Sequence, residues 1–269
     1  MNKYLENTFG LKGKTAIVTG AGGQLGGEFV RALLNAGAKV AAFDLNPESP
    51  KAKLSGIRSR NLLLVKADIT DKVSLEAGLK TTIARLGSPS VMVNNAAIDA
   101  PPNGDQRNTG PFETYPQEAW DAMMNVNLKG MFFCCQIIGG HMAKHNKGSI
   151  INISSIYGLL SPDQRIYEYK KPRFFKPVAY SVTKSGVLNF TRYLAVYWAK
   201  KNVRVNTMTL AGVFNNQDSQ FLKNYTPKVP LGRMAGQNEY NAALIYLASD
   251  ASSYMTGSNM VIDGGFTAW

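Results

Sequence analysis

The sequence predicts an α/β fold: a Rossmann-like, doubly wound, mostly parallel seven-stranded sheet with helices on both faces. Three observations carry this. Short apolar runs alternate with longer amphipathic stretches along the whole chain, the pattern of parallel strands joined by crossover helices. The first apolar run opens directly into a Gly-rich turn and a helix. No linker, internal repeat or low-complexity tract divides the 269 residues, so 1–269 reads as one domain.

Taken in order, TAIVT (15–19) is a buried strand, followed by AGGQLGG and an amphipathic helix through EFVRALLNAG. KVAAFD (39–44) and LLLVKAD (62–68) are the second and third strands. DKVSLEAGLKTTIARLG is a helix closed by Gly87 as its C-cap. SVMVNNAA (90–97) holds the fourth strand, and 98–116, rich in Pro, Gly, Asn and Asp, is a long loop. A helix is expected from about Pro116 to His145, then the strand SIINIS (149–154). After an irregular stretch from Tyr157 to Pro177 come a helix from Ala179 to Lys201 and the strand VRVNTMT. The segment 213–236 reads as an irregular lid, 237–249 as a helix and NMVID (259–263) as the last strand.

Composition narrows the function classes. Hydrophobic residues make up 45% and charged residues 18%, the balance of a globular chain. No apolar run approaches the ~20 residues of a membrane span. The opening MNKYLENTFGLKGK lacks a secretory apolar core, so a cytoplasmic location and no membrane partner are expected. The two cysteines, Cys134 and Cys135, are adjacent and are expected in a core or subunit interface. The net charge of +12 raises nucleic acid as a partner, but no nucleic-acid motif accompanies it, and none is expected. The densest basic cluster, Lys170, Lys171, Arg173 and Lys176, fits an acidic small molecule better. His141 and His145 stand at i, i+4, yet no third ligand completes a set, so no metal is expected.

The turn Thr19-Gly20-Ala21-Gly22-Gly23-Gln24-Leu25-Gly26 joins a strand to a helix start. Glycines let the backbone approach a pyrophosphate, and the helix N-terminus offers N–H groups and a positive dipole end. Gly20, Gly23, Gln24, Leu25 and Gly26 are therefore candidate dinucleotide contacts. Asp44 ends the second strand, where a carboxylate accepts both hydroxyls of an adenosine ribose and repels a 2′-phosphate. No Arg or Lys follows it directly, so NAD is favoured over NADP. Tyr180 and Lys184 share one face of a helix start, and a nearby ammonium favours the phenolate. Tyr180 is thus a candidate general acid/base for an alcohol–ketone pair.

Together TGAGGQLG (19–26), Asp68, NNAA (94–97), Asn127 in NVNLKG, Ser155 in INISSIYG, YSVTK (180–184), RVN (204–206) and TGSNMVIDGG (256–265) resemble the short-chain dehydrogenase/reductase family over nearly the whole chain. The resemblance implies that Tyr180 exchanges the substrate proton while Ser155 hydrogen-bonds the same oxygen. Lys184 would hold the nicotinamide ribose and lower the tyrosine pKa, and Asn127 would kink its helix and hold a proton-relay water. Asp68 and Ile69 would border the adenine, Asn94 and Ala96 would lie along the cofactor, and Val213 would meet the nicotinamide amide. Ser154 rivals Ser155, but the spacing to Gly158 favours Ser155. Three departures stand out: Gln24 replaces the usual second glycine, NNAG has become NNAA, and Leu210-Ala211 replaces Pro-Gly. Gln24 must then point away from the pyrophosphate or cover it. The apolar faces of 116–145 and 179–201 would, by the same resemblance, pair in a homodimer or homotetramer.

The interval between Ser155 and Tyr180 is about twice that usual in the family. The excess, SPDQRIYEYKKPRFFKP, forms a basic and aromatic loop at 159–177 beside the catalytic tyrosine. Loops on a rigid scaffold carry binding function. Its arginines suit carboxylate or phosphate, and its aromatics suit stacking on a sugar or base. Gln164, Arg165, Asn215, Asn216 and Gln217 are the candidate substrate contacts. SPDQRIY, KPVAYSVTK, GVFNNQD and SSYMTGSNMVIDGGFTAW also look like oxidoreductases of flagellin-modification and nonulosonic-acid sugar pathways. That narrower resemblance implies an anionic, phosphorylated or nucleotide-linked amino sugar. Two rival readings remain: a ketoreductase of acyl-carrier-bound 3-oxoacyl chains, and a non-catalytic dinucleotide-sensing protein.

Overall fold

A computed structural model describes residues 3–49, 51–100 and 109–269. Among the described residues seven strands form one sheet: β1 (Thr15–Thr19), β2 (Lys39–Asp44), β3 (Leu62–Lys66), β4 (Val91–Asn94), β5 (Gly148–Ser155), β6 (Val203–Leu210) and β7 (Asn259–Ile262). Their order is β3-β2-β1-β4-β5-β6-β7, and every pairing is parallel. TAIVT and VMVN are buried at every position, because helices cover both faces of the central strands. The order reverses between β1 and β4, and the crevice beyond the strand ends at such a reversal is where ligands bind in open α/β sheets.

The helices are α1 (Lys3–Phe9), α2 (Gln24–Asn35), α3 (Lys72–Leu86), a composite α4 over 117–144, α5 (Val178–Trp198), α6 (Ser219–Tyr225) and α7 (Asn241–Ala248). On one face of the sheet, Phe29, Val30 and Leu33 of α2 pack with Leu244 and Leu247 of α7. On the other, Leu75 and Leu79 of α3, Met131, Ile138 and Met142 of α4, and Val187, Leu194 and Trp198 of α5 share a second cluster. Composite α4 alternates α and π winding: Gln117–Met123, Met131–Cys134 and Gly140–Lys144 are α, while Met124–Gly130 and Cys135–Gly139 are π. Asn127 lies within the first of the two π-wound stretches. π-bulges frequently mark functional sites.

Three boundaries differ from the sequence reading. Helix α1 was not anticipated: it buries no residue, so it leaves no apolar stripe in the sequence. Helix α7 starts four residues later than expected, after a turn at 236–240. The segment 213–236 is not irregular throughout. It carries α6, capped by the Asp218 carboxylate accepting from Phe221 N–H, and its ends meet in a parallel bridge between Val213 and Ala235.

A third cluster joins this lid to the 159–177 loop: Ile166, Tyr167 and Phe174 from the loop pack with Phe221 and Tyr225 from α6 and with Ile156 and Tyr157 after β5. Phe174 is 1% exposed and its ring lies 4.9 Å from that of Tyr167. The loop aromatics therefore hold a small core of their own, and Phe174 has no open face for a sugar or base.

Candidate active site

Strands β1, β2, β4, β5 and β6 all end at one cavity of about 750 Å³. Its walls run from Gly20, Gly23, Gln24, Leu25, Gly26 and Asp44, past Asn95 and Ala96, to Ser155, Tyr180 and Lys184. Val213, Asn215, Asn216 and Gln217 close the far side. Elements distant in sequence thus converge where the sheet topology reverses.

At the Gly-rich end, Gly20 adopts φ +62°, and a Cβ there would stand 2.7 Å from Ala96 Cα. A Cβ on Gly26 would lie 2.1 Å from the Gly20 carbonyl oxygen, so only glycine lets α2 start this close under the turn. Gly23 caps α2 without a side-chain hydrogen bond, which leaves the first-turn N–H groups facing the cavity. Asp44 accepts from Gly22 N–H at 2.9 Å and from Asn46 N–H at 3.1 Å, which fixes its carboxylate beside the turn. Gln24 does not point away: its Nε2 donates to the Phe214 carbonyl at 3.1 Å, spanning the cleft from α2 to the lid. This cradle fits the pyrophosphate and adenosine ribose of a nicotinamide dinucleotide.

Thr19 and Asn95 lock the switch point. The Thr19 hydroxyl accepts from Asn95 and Ala96 N–H, each at 3.1 Å, and Asn95 Nδ2 donates to the Thr19 and Gly20 carbonyls. The two adjacent asparagines are placed differently. Asn94 is 2% exposed and turns inward, donating to Asn152 Oδ1 at 2.8 Å and to Cys135 Sγ at 3.3 Å. Its neighbour Asn95 lines the cavity instead, since successive residues leaving a strand point to opposite sides. Asp68 and Ile69 are also not among the cavity walls. Asp68 accepts from Thr70 N–H and Oγ1, and Ile69 is buried against Gly130.

At the other end, Ser155 and Tyr180 both line the cavity, close enough for the serine hydroxyl to favour the phenolate. Ser154 is turned away and donates to the Lys184 carbonyl at 2.8 Å, so β5 delivers Ser155 and not its rival. Lys184 is 4% exposed; its Nζ donates to the Ile153 carbonyl at 3.0 Å and lies 5.8 Å from the Tyr180 ring centre. Burial pulls its ammonium down to about 8, with the Asp99 carboxylate opposing the fall. Asn127, 1% exposed, accepts from Ile98 N–H at 2.8 Å and donates to the Ile98 carbonyl at 2.9 Å and to Thr183 Oγ1 at 3.3 Å. Its amide thus ties the π-wound turn of α4 to the chain after β4 and to α5.

The balance at Tyr180 runs opposite to the expectation from Lys184. Burial pushes the phenol above its ordinary 10, the Asp99 carboxylate pushes it further, and only the nearby Ser155 hydroxyl pulls it down. A phenol so held is a proton donor at neutral pH, suited to protonating a developing alkoxide. As a base for alcohol oxidation it gains with rising pH.

The residues after β6 explain the loss of Pro-Gly. The Tyr240 hydroxyl donates to the Ala211 carbonyl at 3.2 Å, and Gly212 N–H donates to the Tyr225 hydroxyl at 2.9 Å. Two tyrosines hold the backbone from either side, which carries Val213 to the cavity edge.

The candidate substrate contacts divide. Gln217 lines the cavity and braces its own turn, donating to the Val213 carbonyl and accepting from Asn215 N–H. Asn215 and Asn216 line the cavity from exposed positions. Gln164 and Arg165 do not reach it. The Arg165 side chain is 78% exposed and forks onto Asp163, and Gln164 spends its amide on the backbone of Lys176. Asp99, Tyr157, Tyr225 and Met234 line the cavity unanticipated, and Tyr167 and Lys176 reach it from the basic and aromatic loop. Lys176 stood in the basic cluster, four residues before Tyr180, a spacing that was a usable signal. Asp99 sits in a loop whose path no periodicity encodes. Elsewhere, the rings of His141 and His145 lie 4.2 Å apart at a tilt of 36°, with His141 hydrogen-bonded to Ser88. Cys134 and Cys135 are buried free thiols.

Comparison with known proteins places this geometry. A family model described as enoyl-(acyl carrier protein) reductase matches residues 20–267. The chain is 32% identical over 270 residues to a D-threitol dehydrogenase of Mycolicibacterium smegmatis, covering 96% of this chain and 95% of that one. It is also 32% identical over 284 residues to a ribulose-forming D-arabinitol 2-dehydrogenase of Scheffersomyces stipitis, covering 97% and 96%. Among solved structures, a short-chain dehydrogenase from Leptospira borgpetersenii with bound NAD+ superposes with a TM-score of 0.85 at 33% identity, covering 99% and 97%. The chain belongs to the short-chain dehydrogenase/reductase family. It is an NAD(P)-dependent oxidoreductase acting on CH–OH groups. These comparisons do not carry the narrower resemblance to flagellin-modification and nonulosonic-acid enzymes.

Proposed function

We propose that the chain interconverts a secondary alcohol and a ketone on an uncharged polyol or sugar, with NAD(H) in preference to NADP(H). The observation that carries the substrate class is how the loop cations beside Tyr180 are spent. Arg165 pairs with Asp163, Lys170 with Asp218, Arg173 with Glu168 and Lys176 with Asp99. Four of the five loop cations are thus engaged by carboxylates in place, Asp163 meeting Lys228 as well, which speaks against a phosphorylated or nucleotide-linked amino sugar and for a ligand recognised through hydroxyl groups. The sugar-alcohol substrates in the names of the two relatives point the same way. Asp44 beside the Gly-rich turn supports NAD, since its charge opposes a 2′-phosphate.

In this reading Tyr180 passes the proton to and from the reacting oxygen while Ser155 donates to that oxygen. Lys184 sits deep in the site and orients the nicotinamide ribose, and Asn127 braces the wall through Ile98. The dinucleotide supplies the hydride acceptor or donor. Gly20, Gly23, Gln24, Leu25, Gly26, Ala96 and Val213 hold it by close backbone approach. The enzyme is read as cytoplasmic and as a homodimer or homotetramer, with exposed Tyr193, Val196 and Tyr197 of α5 supporting self-association. The test is NAD+ reduction followed at 340 nm with D-threitol, D-arabinitol and galactitol, against acetoacetyl-CoA reduction with NADH and NADPH. Polyol turnover is expected; activity confined to the thioester would replace this reading with the acyl-reductase one.

A further inference from the structure

One charged pair in the cavity is not used by the chemistry at Tyr180. Lys176 is 8% exposed, and its ammonium lies 2.6 Å from both carboxylate oxygens of Asp99. It rests 4.6 Å from the centre of the Tyr180 ring and 6.0 Å from that of Tyr157. Asp99 is 41% exposed, and both residues line the cavity. The pair is therefore closed on the lysine side and open on the carboxylate side, within one side chain of the reacting phenol.

Its backbone setting is built for position. Gln164 Oε1 accepts from Lys176 N–H at 2.9 Å, and Gln164 Nε2 donates to the Lys176 carbonyl at 3.1 Å, so one amide clamps both polar groups of that residue. Ala100 N–H donates to Asp99 Oδ1 at 2.8 Å and steadies the carboxylate from its own loop. Taking a lysine out of water beside a carboxylate is seldom a gain in stability over apolar packing. A role in recognition accounts for the arrangement better. A carboxylate has about four acceptor sites and an ammonium three donors, so each keeps capacity beyond the other.

We propose that Asp99 and Lys176 are the specificity pair that receives the hydroxyl adjacent to the reacting carbon. Asp99 accepts that hydroxyl's proton and Lys176 donates to its oxygen, while Gln164 is the positioning residue that holds Lys176 against the Tyr180 ring. The site then selects vicinal diols and polyols over an isolated secondary alcohol, because an alcohol lacking the second hydroxyl leaves the remaining acceptor and donor sites of the pair without a partner. This rests on the polyol reading of the cavity.

The test compares 2,3-butanediol stereoisomers with 2-butanol, which differ by that one hydroxyl, and adds D-threitol and D-arabinitol. NAD+ reduction is measured in the wild type, K176M, K176R, D99N and Q164A, with NADH fluorescence titration as the check on folding. The wild type should favour diol over mono-alcohol in kcat/KM. K176M and D99N should lower that ratio by about tenfold or more, as expected for losing a hydrogen bond to a charged group. The loss should fall mainly on the KM for the diol. K176R should recover part of it and Q164A should show a smaller loss of the same sign. Parallel loss on diol and mono-alcohol, with the ratio unchanged, overturns the pair while leaving the polyol reading intact. Absence of turnover with every diol and polyol, in a protein that binds NADH, overturns both. Should K176M fail to bind NADH, the ratio in D99N and Q164A decides.

Discussion

Replacing Lys184 by methionine should abolish activity and stabilise the fold, and the structure sets the size of the effect. Lys184 is 4% exposed, and its ammonium has fallen from the ordinary 10.5 to about 8 because burial opposes the charge. At about 1.4 kcal/mol per pH unit, keeping this lysine charged in the native state at neutral pH costs about 3 kcal/mol. Methionine fills similar volume without the charge, and it forfeits the hydrogen bond to the Ile153 carbonyl, a loss of about 1 kcal/mol. The balance is a stabilisation of about 2 kcal/mol, or about 5 °C in Tm for a chain of this length.

The pH dependence follows from the sign of the shift. A lysine depressed in the native state binds fewer protons there than in the unfolded chain between about 8 and 10.5, so wild-type stability gains with pH across that window. The advantage of K184M is therefore full below pH 8. It shrinks above that, until the two proteins melt together near pH 9.5. Thermal unfolding of both at pH 7.0 and 9.5, followed by circular dichroism, reads this directly. A K184M protein less stable than wild type at pH 7.0, or a difference that does not change with pH, would refute the reasoning.

Other substitutions test the remaining roles. Tyr180→Phe should lower kcat by about a thousandfold, within the range of a lost general acid/base, while the NADH Kd from fluorescence stays within about twofold. Asp44→Ala removes the carboxylate beside the Gly-rich turn and should move the NADH-to-NADPH affinity ratio by about tenfold toward NADPH, as measured in parallel titrations. Arg165→Ala should leave KM for every polyol within about twofold, because the guanidinium is turned to solvent on Asp163; a steep rise in KM would return Arg165 to the substrate site.

Much of the dinucleotide end could be read from the chain because its signals are local. Gly20 is demanded by its own positive φ and Gly26 by the Gly20 carbonyl six residues before it, and Tyr180 and Lys184 sit one helical turn apart. Asn94 shows the limit of such reading. The sequence offers two adjacent asparagines, and only the exit geometry of β4 decides that Asn95 faces the cavity while Asn94 joins a buried chain with Asn152 and Thr191. The 159–177 loop shows it again. Charge and aromatic content marked it as a binding element, yet packing of Phe174, Tyr167 and Ile166 against α6 turned Arg165 outward and Lys176 inward.

The sequence by itself determined the seven strands in chain order, the helices α2 to α5 and α7, the Gly-rich turn and the tyrosine–lysine pair. Each of these depends on contacts within a few residues or on a periodicity that burial imposes. Only the tertiary structure decided which loop side chains meet at the cavity. Asp99 and Lys176 lie 77 positions apart, and Gln24 and Phe214 lie 190 apart. Contacts at such separations are set by how the sheet reverses between β1 and β4 and by how the lid packs on its neighbouring loop. No local pattern records either.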